Sequence, residues 1–128
     1  MRDRLFTPRT ATDALDALRP AVREMRRLAR AMNRMRAAAG SPEEPVRRPY
    51  FRLLLRLDGV RDAIRDAGAV ARDPSGGTID FPARLGGRRV WLCWRAGEPE
   101  VGWWREEDAP PARRRRVASD ASWESGEA

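Results

Sequence analysis

The side chains that could do chemistry lie between residues 80 and 104: Asp80, Trp91, Cys93, Arg95, Glu100 and Trp104. A thiol beside an arginine can be drawn toward the nucleophilic thiolate. Two carboxylates one strand apart, Asp80 and Glu100, can share general acid and base roles. The chain contains no histidine, so Cys93 has no imidazole base. Nor does a phosphate-binding glycine loop accompany it. A single cysteine is more often a small buried apolar group. One Cys, no His, and the acids Asp80, Glu98 and Glu100 at no recognised ligand spacing give no metal site. The expectation is therefore no catalytic residue, no metal and no cofactor. The same six residues read better as a binding face, two large aromatics with a few charges at the rim. Its occupant is expected to be a protein, above all a second copy of the chain, or a small flat ligand.

A second constellation is cationic. Arg19, Arg23, Arg26, Arg27, Arg30 and Arg34 recur at helical spacing, and Arg113–Arg116 is a tetrabasic run led by Arg113. Such a stripe can neutralise phosphates, making nucleic acid the alternative partner. A merely solvated helix face is the commoner outcome for a charge run. All 26 basic residues are arginine, a bias that a GC-rich genome would explain. The excess is local all the same: residues 1–40 hold ten arginines against four acids.

Three strands must position the first constellation. Gly86-Gly87 is a two-residue turn that favours a type I′ hairpin. It pairs Asp80 with Cys93 and Phe81 with Leu92. A second turn at Ala96-Gly97-Glu98-Pro99 is expected to pair Leu92 with Trp103 and Trp91 with Trp104. Side chains alternate between sheet faces. One face then holds Ile79, Phe81, Ala83, Val90, Leu92, Trp94, Val101 and Trp103, wholly apolar. The other holds Asp80, Pro82, Trp91, Cys93, Arg95, Glu100, Gly102 and Trp104.

Two helices are expected to cover the apolar face. Thr7 reads as an N-cap with Pro8 at the first helical position, and Phe6 with Ala11 as a hydrophobic staple. Apolar residues then recur from Ala11 to Met35 at three-four spacing, which predicts a helix over residues 8–39 bent at Pro20. A proline-rich linker over 40–48 follows, then a helix over 49–67 with Tyr50, Leu53, Leu54, Leu57, Val60 and Ile64 on its face. The sheet spans 69–107. Residues 1–108 thus form one α+β domain, a long antiparallel helical hairpin on one face of an antiparallel meander of three or four strands. Residues 109–128 read as a disordered basic and polar tail.

Three segments, LFT at Leu5–Thr7, DFP at Asp80–Pro82 and LCWRAGEPEVGWW at Leu92–Trp104, resemble the bacterial DUF2203 family of uncharacterised proteins. The resemblance reaches to about Arg113 and implies a fold without an activity. The family pattern places a histidine where this chain has Arg105, and a glycine-rich segment where it has Ala109-Pro110-Pro111-Ala112.

At 128 residues and a net charge of +7, the chain is sized for one modest core. Met1-Arg2-Asp3-Arg4 leads directly toward the capped helix, with no apolar run of a secretory or membrane-spanning type. A lone cysteine excludes an internal disulfide and fits a reducing cytoplasm. The leading expectation is a non-enzymatic cytoplasmic assembly module, homo-oligomeric and in the simplest case dimeric, away from the membrane. The alternatives are a nucleic-acid-associated protein and, third, a small-ligand enzyme at Asp80, Cys93 and Glu100.

Overall fold

The first long element starts where its cap dictates. In the computed structural model, which describes residues 4–39, 44–119 and 121–127, α1 runs Pro8–Ala39 and continues through Pro20. The Thr10 amide donates to Thr7 Oγ1 at 3.2 Å and the Thr7 amide to Thr10 Oγ1 at 2.8 Å. That reciprocity is a capping box with threonine in the usual Glu position. Phe6 and Ala11, the two staple residues, are both fully buried.

The second helix, α2, spans Glu44–Asp66 and contains Pro49. It starts five residues before the expected position, because Pro49 interrupts only one backbone bond within an otherwise favourable apolar pattern. Residues 40–43 of the expected linker lie outside the described residues. Contacts from Arg36 to Tyr50 and from Arg56 to Glu24 show that the two helices run antiparallel. Leu15, Leu18, Val22, Met25, Leu28 and Met32 of α1 are buried in the core. Among the residues of α2 whose burial is described, Leu57 and Ile64 are the buried ones. The long helix therefore supplies most of the cover, and the short one flanks it.

The sheet is a consecutive antiparallel meander of β2 (Val70–Asp73), β3 (Thr78–Leu85), β4 (Arg88–Arg95), β5 (Trp103–Glu106) and β6 (Arg115–Arg116). A separate two-stranded pair joins β1 (Arg4–Leu5) to β7 (Gly126–Glu127). Gly86 and Gly87 have φ of 59° and 77°, as a type I′ turn requires. The β3–β4 ladder has the expected register, with Asp80 opposite Cys93 and Phe81 opposite Leu92. Ile79, Phe81, Ala83 and Leu92 are fully buried on the helix side. Phe6 docks beyond the end of β2, its amide donating to Pro82 O at 2.9 Å and its ring edge-on to Phe81 at 5.1 Å.

The β4–β5 register differs from expectation by one residue. Leu92 lies opposite Trp104, and Cys93 opposite Trp103. The tight turn is Arg95–Glu98, closed by a Glu98 N–H to Arg95 O bond of 3.0 Å, with Gly97 at φ 101°. The chain then leaves the ladder to reach α1, where the Val101 amide donates to Thr12 Oγ1 at 3.0 Å. That detour absorbs one more residue than a simple four-residue turn. Since strand side chains alternate, the slip exchanges the faces of Trp103 and Trp104. Trp104 joins the core and Trp103 turns outward.

Parts of the segment after residue 108 add to the fold. A 3₁₀ turn at Pro111–Arg113 leads into β6, the fifth strand, paired with β5. Trp123 stands edge-on to Trp104 at 6.4 Å and bridges to Leu85. Tryptophan is the one large apolar group in that segment, and it is enough to anchor it. The α+β hairpin-on-meander architecture is otherwise as expected, extended by one strand.

Candidate functional site

The outer sheet face centres on Asp80, Cys93 and Arg105, which are 3%, 6% and 6% exposed. Alternation along β5 puts Arg105 on this face beside Trp103. Its guanidinium reaches Asp80 Oδ2 at 2.7 Å, donates to Cys93 Sγ at 3.1 Å, and donates through Nε to Ala109 O at 3.0 Å. Arg72, on the adjacent strand, donates to the same Asp80 oxygen at 2.9 Å and lies 4.7 Å over the Trp91 ring. Burying a carboxylate this deeply is costly unless cations and hydrogen-bond donors pair with it.

Burial, and then the neighbouring Asp80 charge, push the Cys93 thiol up to about 11, against the opposing pull of Arg105. Cys93 is thus a protonated thiol at neutral pH. It accepts from Arg105 and donates to Trp91 O at 3.6 Å. Such a group is a poor nucleophile. The space above it, lined by Asp80, Cys93, Arg72 and Arg105 with Pro111 and Arg114 opposite, amounts to about 20 Å³. That volume holds a single water and no flat ligand.

The segment after β5 closes over this face. Arg114 makes a bidentate ion pair with Glu98, at 2.6 and 3.0 Å, and stacks 4.3 Å over Trp103. Glu98 also accepts from the Arg95 amide at 2.7 Å. Burial alone would raise the Glu98 carboxyl, but the bonds from Arg114 and from the Arg95 amide hold it below its ordinary value. A carboxyl lowered by folding stabilises the fold above its unfolded pKa, and that stability is lost as pH falls through the lower folded value. Glu98→Gln is accordingly expected to flatten the loss of stability between about pH 4.5 and more acid values. Urea midpoints measured across that range check it. An unchanged pH profile would show that the pair contributes nothing.

Of the residues singled out from sequence, the structure brings together Asp80, Trp91, Cys93 and Arg95 on the outer face, and separates Trp104 and Glu100. Trp104 is on the core side. Glu100 is exposed on the loop that faces the start of α1, where a groove of about 600 Å³ is also lined by Asp13 and Trp103. Arg95 stands at the exposed rim of the space above Cys93, and its amide donates to Glu98 Oε1. Sequence reading missed Arg105, Arg72 and Arg114. The available signal was Asp80 itself: a carboxylate set between Ile79 and Phe81 in a strand calls for a cation on a neighbouring one.

The arginine stripe stays together on α1. Arg23, Arg26, Arg27, Arg30 and Arg34 line one groove of about 280 Å³. It adjoins a second, of about 150 Å³, lined by Arg19, Arg23, Arg26 and Trp94. Arg19 pairs with Asp16 at 3.2 Å and lies over Trp94, while Arg26 donates to Ser75 O at 3.4 Å. Arg27 and Arg56 share Glu24, at 2.7 and 2.8 Å, and the hydrogen bonds from Arg27 lead the lowering of the Glu24 carboxyl. Arg23, Arg30 and Arg34 have no acidic partner among the described residues. Arg113 does not extend this stripe. It is exposed at the end of the 3₁₀ turn, and the rest of its run is engaged with Glu98, Trp104 and Trp103.

Among the described residues, no helix is long and apolar enough to cross a membrane, and no group of three or more His, Cys, Asp or Glu side chains could hold a metal ion. The fold and its two sites define a small α+β domain with a sealed ionic cluster on its sheet and an open cationic groove on its long helix. The chain belongs to the family described as Uncharacterized conserved protein (DUF2203), whose model matches residues 4–117. No curated protein and no solved structure matches it.

Proposed function

We propose that this protein is a cytoplasmic nucleic-acid-associated module that holds phosphates along α1 and has no catalytic chemistry of its own. The observation that carries this reading is the α1 groove lined by five arginines, of which Arg23, Arg30 and Arg34 have no acidic partner among the described residues. Guanidinium groups bind phosphate oxygens in bidentate fashion and are desolvated more readily than ammonium groups. The stretch from Arg23 to Arg34 covers about 16 Å of helix, room for roughly five successive phosphates of one strand. Trp94 at the end of the groove adds an aromatic wall. A stripe whose arginines were all neutralised by neighbouring acids would lack this capacity.

The sheet-face reading has less support. Trp104 is core, and the chain's own 109–114 segment and arginines cover what remains. A reaction at Asp80, Cys93 and Glu100 has less still, since the thiol is protonated and Glu100 lies apart. The single free cysteine supports the cytoplasmic placement.

The expected result is binding of duplex or single-stranded nucleic acid at low salt, weakening linearly in log affinity against log salt. Replacing Arg23, Arg27, Arg30 and Arg34 with Gln should flatten that slope by about 0.9 for each duplex phosphate that is no longer neutralised. Fluorescence anisotropy of a labelled oligonucleotide over several salt concentrations measures both. Absence of binding by the parent at low salt would end the proposal.

A further inference from the structure

The outward face of α2 is unlike the rest of the surface. Phe51 and Leu55, one turn apart, are 59% and 60% exposed, and among the described residues they are the large apolar side chains that the fold leaves bare. On the helix they share one stripe with Arg48 and Arg52 on the amino-terminal side and Asp58 and Asp62 on the carboxy-terminal side, all exposed. The spacing of these six positions keeps them within about 60° of Leu55 around the helix. Gly59 lies on the same stripe, with nothing near the place a Cβ would occupy, so another helix can approach closely there.

We infer that this stripe is a self-complementary interface through which two copies of the chain pair, with their α2 helices antiparallel. The charge order selects the occupant and its direction. An antiparallel copy places its Asp58 and Asp62 over Arg48 and Arg52, and the reverse pairing repeats at the other end. A parallel copy would set like charges together. A two-fold arrangement of this kind is isologous, each patch serving as its own partner. The middle of the interface then holds Leu55 of each copy against Leu55 of the other, with each Phe51 over the open space at the partner's Gly59.

Intrahelical electrostatics does not account for the pattern. Cations toward the helix start and anions toward its end oppose the macrodipole. Asp62 meets Arg65 at 3.3 Å, but both side chains are largely exposed, so that pair can rearrange. Arg56 and Arg61 are turned elsewhere, to Glu24 and to Ala71 O. The stripe runs about 21 Å, and one helix face buries less than the roughly 1,200 Å² of a standard interface. The dimer is accordingly a concentration-dependent one.

Sedimentation equilibrium of the full chain over a wide concentration range tests this. The parent should rise from 14.5 kDa toward twice that mass. Leu55→Asp, which sets carboxylates at the centre, should hold it at the monomer mass. So should R48D/R52D alone and D58R/D62R alone, while the four changes together should restore association. Leu55→Cys should give a disulfide-linked dimer on mild oxidation, whereas the parent, whose one thiol is buried, should not. All these sites are exposed, so unchanged helical circular dichroism should accompany each variant. A parent that stays monomeric at the highest concentration overturns the proposal. So does a Leu55→Asp variant that associates like the parent, or a fourfold variant that fails to recover association.

Discussion

Arg105→Ala should lose about 3–5 kcal/mol of folding stability, the usual cost of removing one partner from a buried ion pair. Asp80 would remain in place, its side chain 4% exposed, with Arg72 as its remaining ion-pair partner among the described residues. Arg72 is itself 40% exposed, so solvent screens its compensation. Two more interactions vanish with the guanidinium: the donor to Cys93 Sγ and the donor to Ala109 O. The second one ties down the segment that seals the outer face, so hydrogen exchange at residues 110–117 should quicken as well. Urea denaturation measures the stability loss. A change below about 1 kcal/mol would mean that Arg72 alone satisfies Asp80. The paired change Asp80→Leu with Arg105→Met separates charge from packing. Apolar replacement of a whole buried pair is often near neutral, so the double variant should be more stable than Arg105→Ala. Strong coupling of this kind is what residues in direct contact show.

How far the sequence reached can be seen at particular residues. The β3–β4 register was legible because Gly86-Gly87 permits one economical turn and the strands on both sides alternate cleanly. The first helix was legible because Thr7 and Pro8 mark its start and the apolar period holds from Ala11 to Met35. The β4–β5 register was not. A turn motif at residues 96–99 specifies a reversal, but Thr12, distant in sequence, draws residues 99–102 away through its bond to Val101. No local pattern encodes that pull. The order of residues 109–119 was hidden for the same reason: Glu98, Trp103 and Arg105 hold them, and composition alone reads polar and basic. Of the candidate site, Asp80, Cys93 and the α1 arginines were legible as residue types. Arg105 was not, because a one-residue slip sends it to the wrong face.

That slip has a direct energetic consequence for the two tryptophans that were expected to stand opposite each other. Trp104 is 9% exposed, packed in the core and edge-on to Trp123. Trp91 is half-buried on the opposite face, under the Arg72 guanidinium. Trp104→Ala should therefore cost about 3–5 kcal/mol, the range for truncating a large aromatic in a core. It should also loosen Trp123 and the end of the chain around it. Trp91→Ala forfeits an exposed cation–π interaction and partial burial, about 1 kcal/mol. Equilibrium denaturation of the two single variants decides between registers, because the one with Trp91 opposite Trp104 puts both rings on one face and gives them similar losses. Comparable destabilisation by the two changes would overturn the pairing of Cys93 with Trp103. A large loss confined to Trp104→Ala is the expected result. It would leave Arg105 as the β5 side chain that meets Asp80.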